Sequence, residues 1–385
     1  MNLFWFKPAL NFKTAKRVLI VHPFGLGDSL FVMPLIRALK ENGAEQIDLL
    51  LGSRTRELFE HHPCIDQIYE WDKSPLSGFS GKWNRFWKLA GMFFSIWKNH
   101  YQIAFDLSPR AQYAFVAFFF FWIPVRIGFN FKQRGFFLTH RVEIPEGFTG
   151  KSMTEYYLDL VRLAGIQFNQ TKPEIFLTKS DHEERKSVFK QLGISESDSI
   201  LAVAPGGGES WGRDARLKRW PAAYFAELIQ TIQKRYPFLF KHVLILGGTE
   251  ECNLGDELSK CLNGSSVYNL CGKTRIRTAA ALIQKAELFV GNDGGLTHMA
   301  HAVHAPVIAF YGPTDPIVYG PYPLEDKVLT MTHSGPACRP CYQRFKYQAN
   351  CGGVECLTQL LPHQVWARIQ NTRFLERLAP AGILS

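Results

Sequence analysis

The sequence contains no stretch of about 20 consecutive apolar residues, the length a membrane-spanning helix needs. The nearest candidate, residues 114–125 (AFVAFFFFWIPV), has 12 residues, contains Pro124 and lies between Arg110 and Arg126. It reads as a buried strand or helix segment. The N-terminus, MNLFWFKPALNFKTAKRVLIV, has no apolar core leading to a small-residue cleavage site. No secretory signal is read there, and a cytoplasmic chain is expected. No Gly-x4-Gly-Lys-Ser/Thr loop occurs, which argues against a P-loop NTPase. Gly25-Leu26-Gly27 lacks the third glycine of the dinucleotide-binding fingerprint. No Asp-x-Asp pair occurs either. Many enzymes that handle nucleotide sugars use such a pair to bring a divalent metal to the diphosphate, so protein N–H groups and a cationic side chain are the expected neutralisers.

What is present is globular. The chain has 385 residues, 46% hydrophobic and 20% charged, enough for a sizeable core and about two domains. Its formal net charge of +10 favours an acidic partner: a nucleotide diphosphate, a phosphorylated glycolipid, an anionic membrane or nucleic acid. Eight cysteines in a reducing compartment are not expected to form disulfides. Four cluster as Cys338-x2-Cys341-x9-Cys351-x4-Cys356. The spacing leaves open a metal site, free thiols or a redox-sensitive pair.

Residues 17–22 (RVLIVH) predict a buried strand, 23–28 a glycine turn, 29–42 a helix and 46–51 a second strand: one βαβ unit opening a parallel sheet. Further strands are expected at 67–71, 102–107 and 125–129. Between the first two, 82–98 carries Trp83, Phe86, Trp87, Ala90, Phe93, Phe94 and Trp97 at helical spacing, with Lys82, Arg85, Lys88 and Lys98 among them. Such a helix lies on a membrane surface, binds an amphiphile, or faces a core with its lysines reaching out. Residues 168–182 lose periodicity, and the domain boundary is placed there. A helix capped by Ser180 follows over 181–192. The second half repeats the pattern, with strands at 200–204, 242–246, 267–270, 288–291 and 307–311. Helices are expected over 222–236 and 362–378. The domains expected are 1–175 and 176–361, with 362–385 packing back toward the first.

Three glycine turns end strands of the second half: 205–208, 247–248 and 291–295. The stretch 287–322 runs strand, glycine turn, helix, strand, which sets N–H groups and a helix N-terminus against an anion, or is an ordinary tight turn. Lys218 and Arg219 follow the first turn and suit a diphosphate, if they are not surface decoration. Asp28, after the first strand, takes a proton from an attacking hydroxyl or caps a helix. Gly27-Asp28-Ser29-Leu30 also spells a motif of GDSL-type ester hydrolases, in which Ser29 would be the nucleophile. The Asp-x-x-His that this family needs near the C-terminus is missing. A protein that holds a nucleotide sugar without transferring it is a further alternative.

Taken in order, GLGDSLFVMPLIRAL (25–39), LKRWP (217–221), GGTEE (247–251) and GNDGGLTHMAHAVHAPVIAFYGPTDP (291–316) resemble the heptosyltransferases of glycosyltransferase family 9, over roughly residues 17–375. The cysteine-rich segment before the last helix also looks like the family's. The resemblance implies an α/β GT-B fold, with two Rossmann-like doubly wound domains facing across a cleft. It implies an inverting, metal-independent transfer, with ADP-heptose as donor substrate, no cofactor, and a lipid A–core glycolipid as acceptor at the inner leaflet of the cytoplasmic membrane, without nucleic acid. It implies that Asp28 is the base, with Gly27 on the acceptor side. Lys218 would bind the diphosphate, with Gly206 and Gly207 in the phosphate-cradling turn. Glu251 would hold the ribose, Asp293 the donor sugar hydroxyls, and Gly294, Gly295 and His298 the diphosphate and sugar region. The family's Asp-Thr-Gly is here Asp293-Gly294-Gly295, so a threonine hydroxyl is missing.

Overall fold

The computed structural model describes residues 12, 16–71, 79–169, 171–264, 266–333, 335–347, 351 and 353–378; at 79–86, 209–211 and 213 it describes the backbone alone. The side chains of Lys82, Trp83, Arg85 and Phe86 thus lie outside the described residues. The chain divides into two units, Met1–Lys172 and Pro173–Ser385.

The first unit is built on six strands: Arg17–His22 (β1), Gln46–Leu51 (β2), Gln67–Glu70 (β3), Ile103–Asp106 (β4), Val125–Asn130 (β5) and His140–Glu143 (β6). They form one sheet in the order β3-β2-β1-β4-β5-β6, every neighbouring pair parallel. The second unit has Ile200–Ala204 (β7), His242–Ile245 (β8), Val267–Asn269 (β9), Leu288–Asn292 (β10), Val307–Tyr311 (β11) and Val328–Thr332 (β12). Its order is β12-β11-β10-β7-β8-β9, again all parallel. Each sheet therefore starts at its centre, winds outward on one side, then returns and winds outward on the other. The reversal falls between β1 and β4 in one unit and between β7 and β10 in the other. In such sheets the loops leaving the carboxyl ends at the reversal splay apart and open a ligand crevice.

The strand residues are apolar on both faces because helices cover both faces. The Ala222–Arg235 helix buries Phe225, Leu228, Ile229 and Ile232, a stripe at helical spacing against the second sheet. The Pro362–Asn371 helix adds Val365 and Ile369 to the same core. Among the described residues no helix is long and apolar enough to cross a membrane.

Several local expectations change. The helix expected over 29–42 starts earlier, at Leu26, with Gly25 as its N-cap, and breaks at Val32 into Leu26–Phe31 and Met33–Glu41. Asp28 is therefore in the first turn and is not the cap. Residues 111–119 form a helix whose end is exposed rather than buried. The outer strands β6 and β12 were not foreseen. The helix expected from 181 is Lys179–Leu192, capped by Thr178 in place of Ser180. Thr178 and Asp181 close a reciprocal capping box, in which each side chain accepts from the other's backbone N–H.

Asp181 also receives Arg277, whose Nε and Nη2 donate to its two oxygens at 3.0 and 2.6 Å. The same Nη2 donates to the carbonyl of Phe176 at 2.6 Å, which fastens the entry segment to the second unit. Burial alone would raise the Asp181 pKa, but Arg277 and the Thr178 donors outweigh it and lower it to about 2. The stabilisation is complete above the unfolded value of about 3.9 and is lost as pH falls from there through about 2. Replacing Arg277 by Met leaves a buried carboxylate unpaired. It should destabilise the second unit by about 3–5 kcal/mol at pH 7 in urea titrations, and flatten the acid limb of its stability curve.

Candidate functional site

At the reversal of the second sheet the carboxyl ends of β7 and β10 carry the Pro205–Gly208 and Asn292–Gly295 turns. Asn292 joins them. Its amide donates to the Pro205 carbonyl at 2.7 Å and accepts the backbone N–H of Trp220 at 3.0 Å. Trp220 is wholly buried, stacked on Phe310 at 4.1 Å, with its indole N–H on the carbonyl of Leu360 at 2.8 Å. This anchors the end of the segment that precedes it, and Lys218 is brought inward.

Lys218 is therefore buried rather than displayed on the surface. Its ammonium sits 2.8 Å from Asp293 Oδ2, with both side chains only 4% exposed. Thr314, on the loop after β11, donates to the same oxygen at 2.6 Å. His298, on the Gly295–Ala302 helix, holds Nε2 3.9 Å from Asp293 Oδ1. Burial lowers the His298 pKa to about 4; Asp293 opposes that shift and Lys218 and His301 add to it. The imidazole is neutral at neutral pH. Tyr311 is also buried, and burial, then Asp293, push its phenol upward. Thr314 lies within the Gly312-Pro313-Thr314-Asp315-Pro316 run, but nothing in the sequence pattern marks it or Tyr311 as a neighbour of Asp293.

Glu251 ties the turn after β7 to the turn after β8. Its Oε1 accepts the N–H of Gly208 at 3.1 Å and its Oε2 the N–H of Gly248 at 3.0 Å. The glycine at 206 is dictated by space: a Cβ there would stand 1.8 Å from Glu251 Oε1, and one on Gly207 would stand 2.0 Å from the carbonyl oxygen of Ala215. Gly294 is different. Its φ of −176° is extended backbone. A Cβ on it would meet nothing nearer than 3.8 Å, with Gly207 and Gly208 backbone atoms at 3.9 Å. Gly206, Gly207, Lys218, Glu251, Asp293, Gly294, Gly295 and His298 thus converge on one sheet edge. Chemically the edge offers backbone donors, one buried cation and two carboxylates with lone pairs to spare, a set that suits a polyol carrying phosphates.

In the first unit the corresponding reversal lies between β1 and β4, and Leu107 N–H donates to the Val21 carbonyl at 3.1 Å. Asp28 and Gly27 sit half-buried in the Leu26–Phe31 helix. Ser29 is wholly buried and its hydroxyl donates back to the Gly25 carbonyl at 3.0 Å, so no ester has access to it. His22 is buried and its pKa is lowered to about 3 by that burial, against hydrogen bonds to its own backbone and that of Asp28. Asp106, at the end of β4, is pushed up to about 7 by burial, while the Ser108 hydroxyl and N–H act the other way.

The cysteine-rich segment has Cys338 exposed, Cys351 half-buried, and Cys341 and Cys356 buried, all free thiols. Burial pushes Cys356 up to about 11. Among the described residues no group of three or more His, Cys, Asp or Glu side chains is placed to hold a metal ion.

A family model described as glycosyltransferase family 9 (heptosyltransferase) matches residues 92–349. Lipopolysaccharide heptosyltransferase 2 of Escherichia coli (strain K12) is 26% identical over 324 residues, covering 82% of this chain and 88% of that protein. The solved structure of E. coli ADP-heptose lps heptosyltransferase II superposes with a TM-score of 0.69 at 20% identity, covering 94% of this chain and 100% of that one. E. coli heptosyltransferase WaaC with ADP-2-deoxy-2-fluoro heptose gives 0.59 at 16% identity, covering 92% and 99%.

The crowding at Gly206 and the room at Gly294 make a paired test. Gly206→Ala should force Glu251 off its two N–H donors and destabilise the second unit by about 2–3 kcal/mol. Gly294→Ala should change stability by less than about 1 kcal/mol. Urea denaturation followed by tryptophan fluorescence reads both.

Proposed function

This chain belongs to glycosyltransferase family 9, a heptosyltransferase family, and we propose that it moves a heptose from ADP-heptose to a lipopolysaccharide core acceptor with inversion at the anomeric carbon. The observation that carries this reading is the buried Lys218–Asp293 pair set among three glycine turns at one carboxyl edge. Such an edge meets a diphosphate with N–H groups and one cation already oriented, so little reorganisation is needed when negative charge grows on the departing oxygen.

The roles divide accordingly. Lys218 and the N–H groups of the 206–208 turn hold the diphosphate. Glu251 takes the ribose hydroxyls on lone pairs beyond those given to Gly208 and Gly248. Asp293 accepts from hydroxyls of the donor sugar, and the neutral His298 offers one ring nitrogen beside it, with Gly294 and Gly295 letting the sugar approach. In the first unit Asp28 takes the proton of the acceptor hydroxyl. As that oxygen bonds to the anomeric carbon, the bond to the diphosphate breaks and its electron pair leaves with ADP. The acceptor is the carbohydrate core of a glycolipid, and we place the reaction at the cytoplasmic face of the inner membrane.

Asp28→Ala should lower transfer by about 100-fold or more while donor affinity, measured by calorimetry, stays within error. Turnover that survives this change would remove Asp28 from the scheme. Separately, ADP at about 100 times its Kd should add about 2.7 kcal/mol of stability in a thermal-shift assay. UDP and GDP at the same concentration should add less, and equal effects would sink the adenine preference.

A further inference from the structure

The first unit exposes more aromatic surface than a water-facing side requires. The Phe79–Lys98 helix turns Ile96 and Phe93 inward, Phe93 lying 5.1 Å from Phe121 between ring centroids. Its other side shows Phe94 and Trp97, 62% and 47% exposed. The Ala111–Phe119 helix and the turn after it show Phe119, Phe120 and Trp122 at 51%, 53% and 79%, and the connection from β5 to β6 shows Phe136 at 61%. Phe119, Phe120 and Phe136 are linked ring to ring through Phe115 and Phe137. Phe119 lies 5.9 Å from Phe137, Phe137 lies 5.3 Å from Phe136, and Phe120 lies 6.0 Å from Phe93. Single exposed rings are ordinary, but a connected set drawn from three segments marks a contact surface.

Charge identifies what it contacts. Between Phe79 and Arg141 the sequence has nine lysines and arginines and one acidic residue, Asp106; Asp106 and Arg126 are both buried, so the excess rests on the other eight cations. Lys88 leans on Glu70 and Arg141 on Glu143, but Lys98, Arg110, Lys132 and Arg134 are exposed along the same segments. A second copy of this face would set cation against cation. An anionic bilayer offers what both components need: a headgroup layer where aromatic rings settle, and phosphates for the long basic side chains.

We infer that this face docks on an anionic lipid bilayer, with Phe119, Phe120, Trp122 and Phe136 entering the headgroup layer and Lys132 and Arg134 meeting lipid phosphates. The inference deepens the proposed function and rests on it in one respect: a glycolipid acceptor is presented at such a surface. Flotation with vesicles of phosphatidylglycerol and phosphatidylethanolamine tests docking without any sugar. The wild-type chain should float with them, less so at high salt, and should stay off pure phosphatidylcholine. The combined variant Phe120→Ser, Trp122→Ser and Phe136→Ser should lose binding by about 10-fold or more with an unchanged melting temperature, because these side chains are mostly exposed. Lys132→Glu with Arg134→Glu should remove the salt-sensitive part. Both variants should keep wild-type transfer to a soluble, deacylated acceptor. A wild-type chain that ignores anionic vesicles, or a serine variant that floats equally well, would overturn the inference. So would a wild-type dimer that the serine variant splits, since the face would then belong to a second copy. Flotation that persists where no acceptor is ever glycosylated would leave docking standing and remove the transferase reading instead.

Discussion

Lys218 and Asp293 hold each other out of water at the one place in the second unit where a ligand crevice is expected. Removing both charges from solvent costs several kcal/mol each, and their mutual attraction returns this only if the remaining valences are satisfied. Thr314 occupies part of the carboxylate, and the backbone N–H of Asp293 is taken by the Phe310 carbonyl at 2.9 Å. The rest of the unit serves this placement. Trp220 pins the end of the segment that delivers Lys218, Asn292 clasps that pin to the turn after β7, and β10 delivers Asp293 from the opposite side. A pair this expensive is weak support for stability and a stronger hint of function.

The two sheets share one winding order, and this explains why the chemistry clusters. A parallel sheet has all its carboxyl ends on one edge, and only where the order reverses do adjacent loops diverge. In the second unit the two loops at the reversal are rich in glycine, so backbone N–H groups join the side chains of Lys218, Asp293 and His298 there. In the first unit they carry Asp28 on one side and the segment from Asp106 to Arg110 on the other. The same architecture thus supplies glycine-turn N–H groups beside a buried ion pair in one unit and a half-buried carboxyl, Asp28, in the other.

Much of this was legible in the chain. The central strands announced themselves as β-branched and leucine runs because both their faces are buried. β6 (HRVE) alternates half-buried and exposed residues at a sheet edge and has no such run, and β12 (VLTMT), at the edge of the other sheet, breaks its apolar run with two half-buried threonines. The run of phenylalanines from 118 to 121 read as buried because hydropathy registers composition and not direction; only Phe121 of these is fully buried. The glycine turns were visible, and the order of motifs placed Lys218, Glu251, Asp293 and His298 on one edge. The burial of Lys218 was not visible, because lysine usually faces solvent and its partner lies 75 positions away along the chain. The part played by Asn292 and Thr314 depends on which groups their side chains reach, and spacing does not encode that.

Two buried carboxyls pull the units apart in their tolerance of acid and base. Asp106 ionises in the folded first unit only near about pH 7. An unfolded aspartate does so near about 3.9, so the native form holds the extra proton between those values, and the first unit loses stability as pH rises from about 3.9 to about 7. Asp181, clasped by Arg277, does the reverse and gives up its advantage only in strong acid. So far as these two groups decide it, mild acidity relaxes a penalty in the first unit before it costs the second anything. Above neutrality both contributions are level, and neither unit gains or loses through these groups.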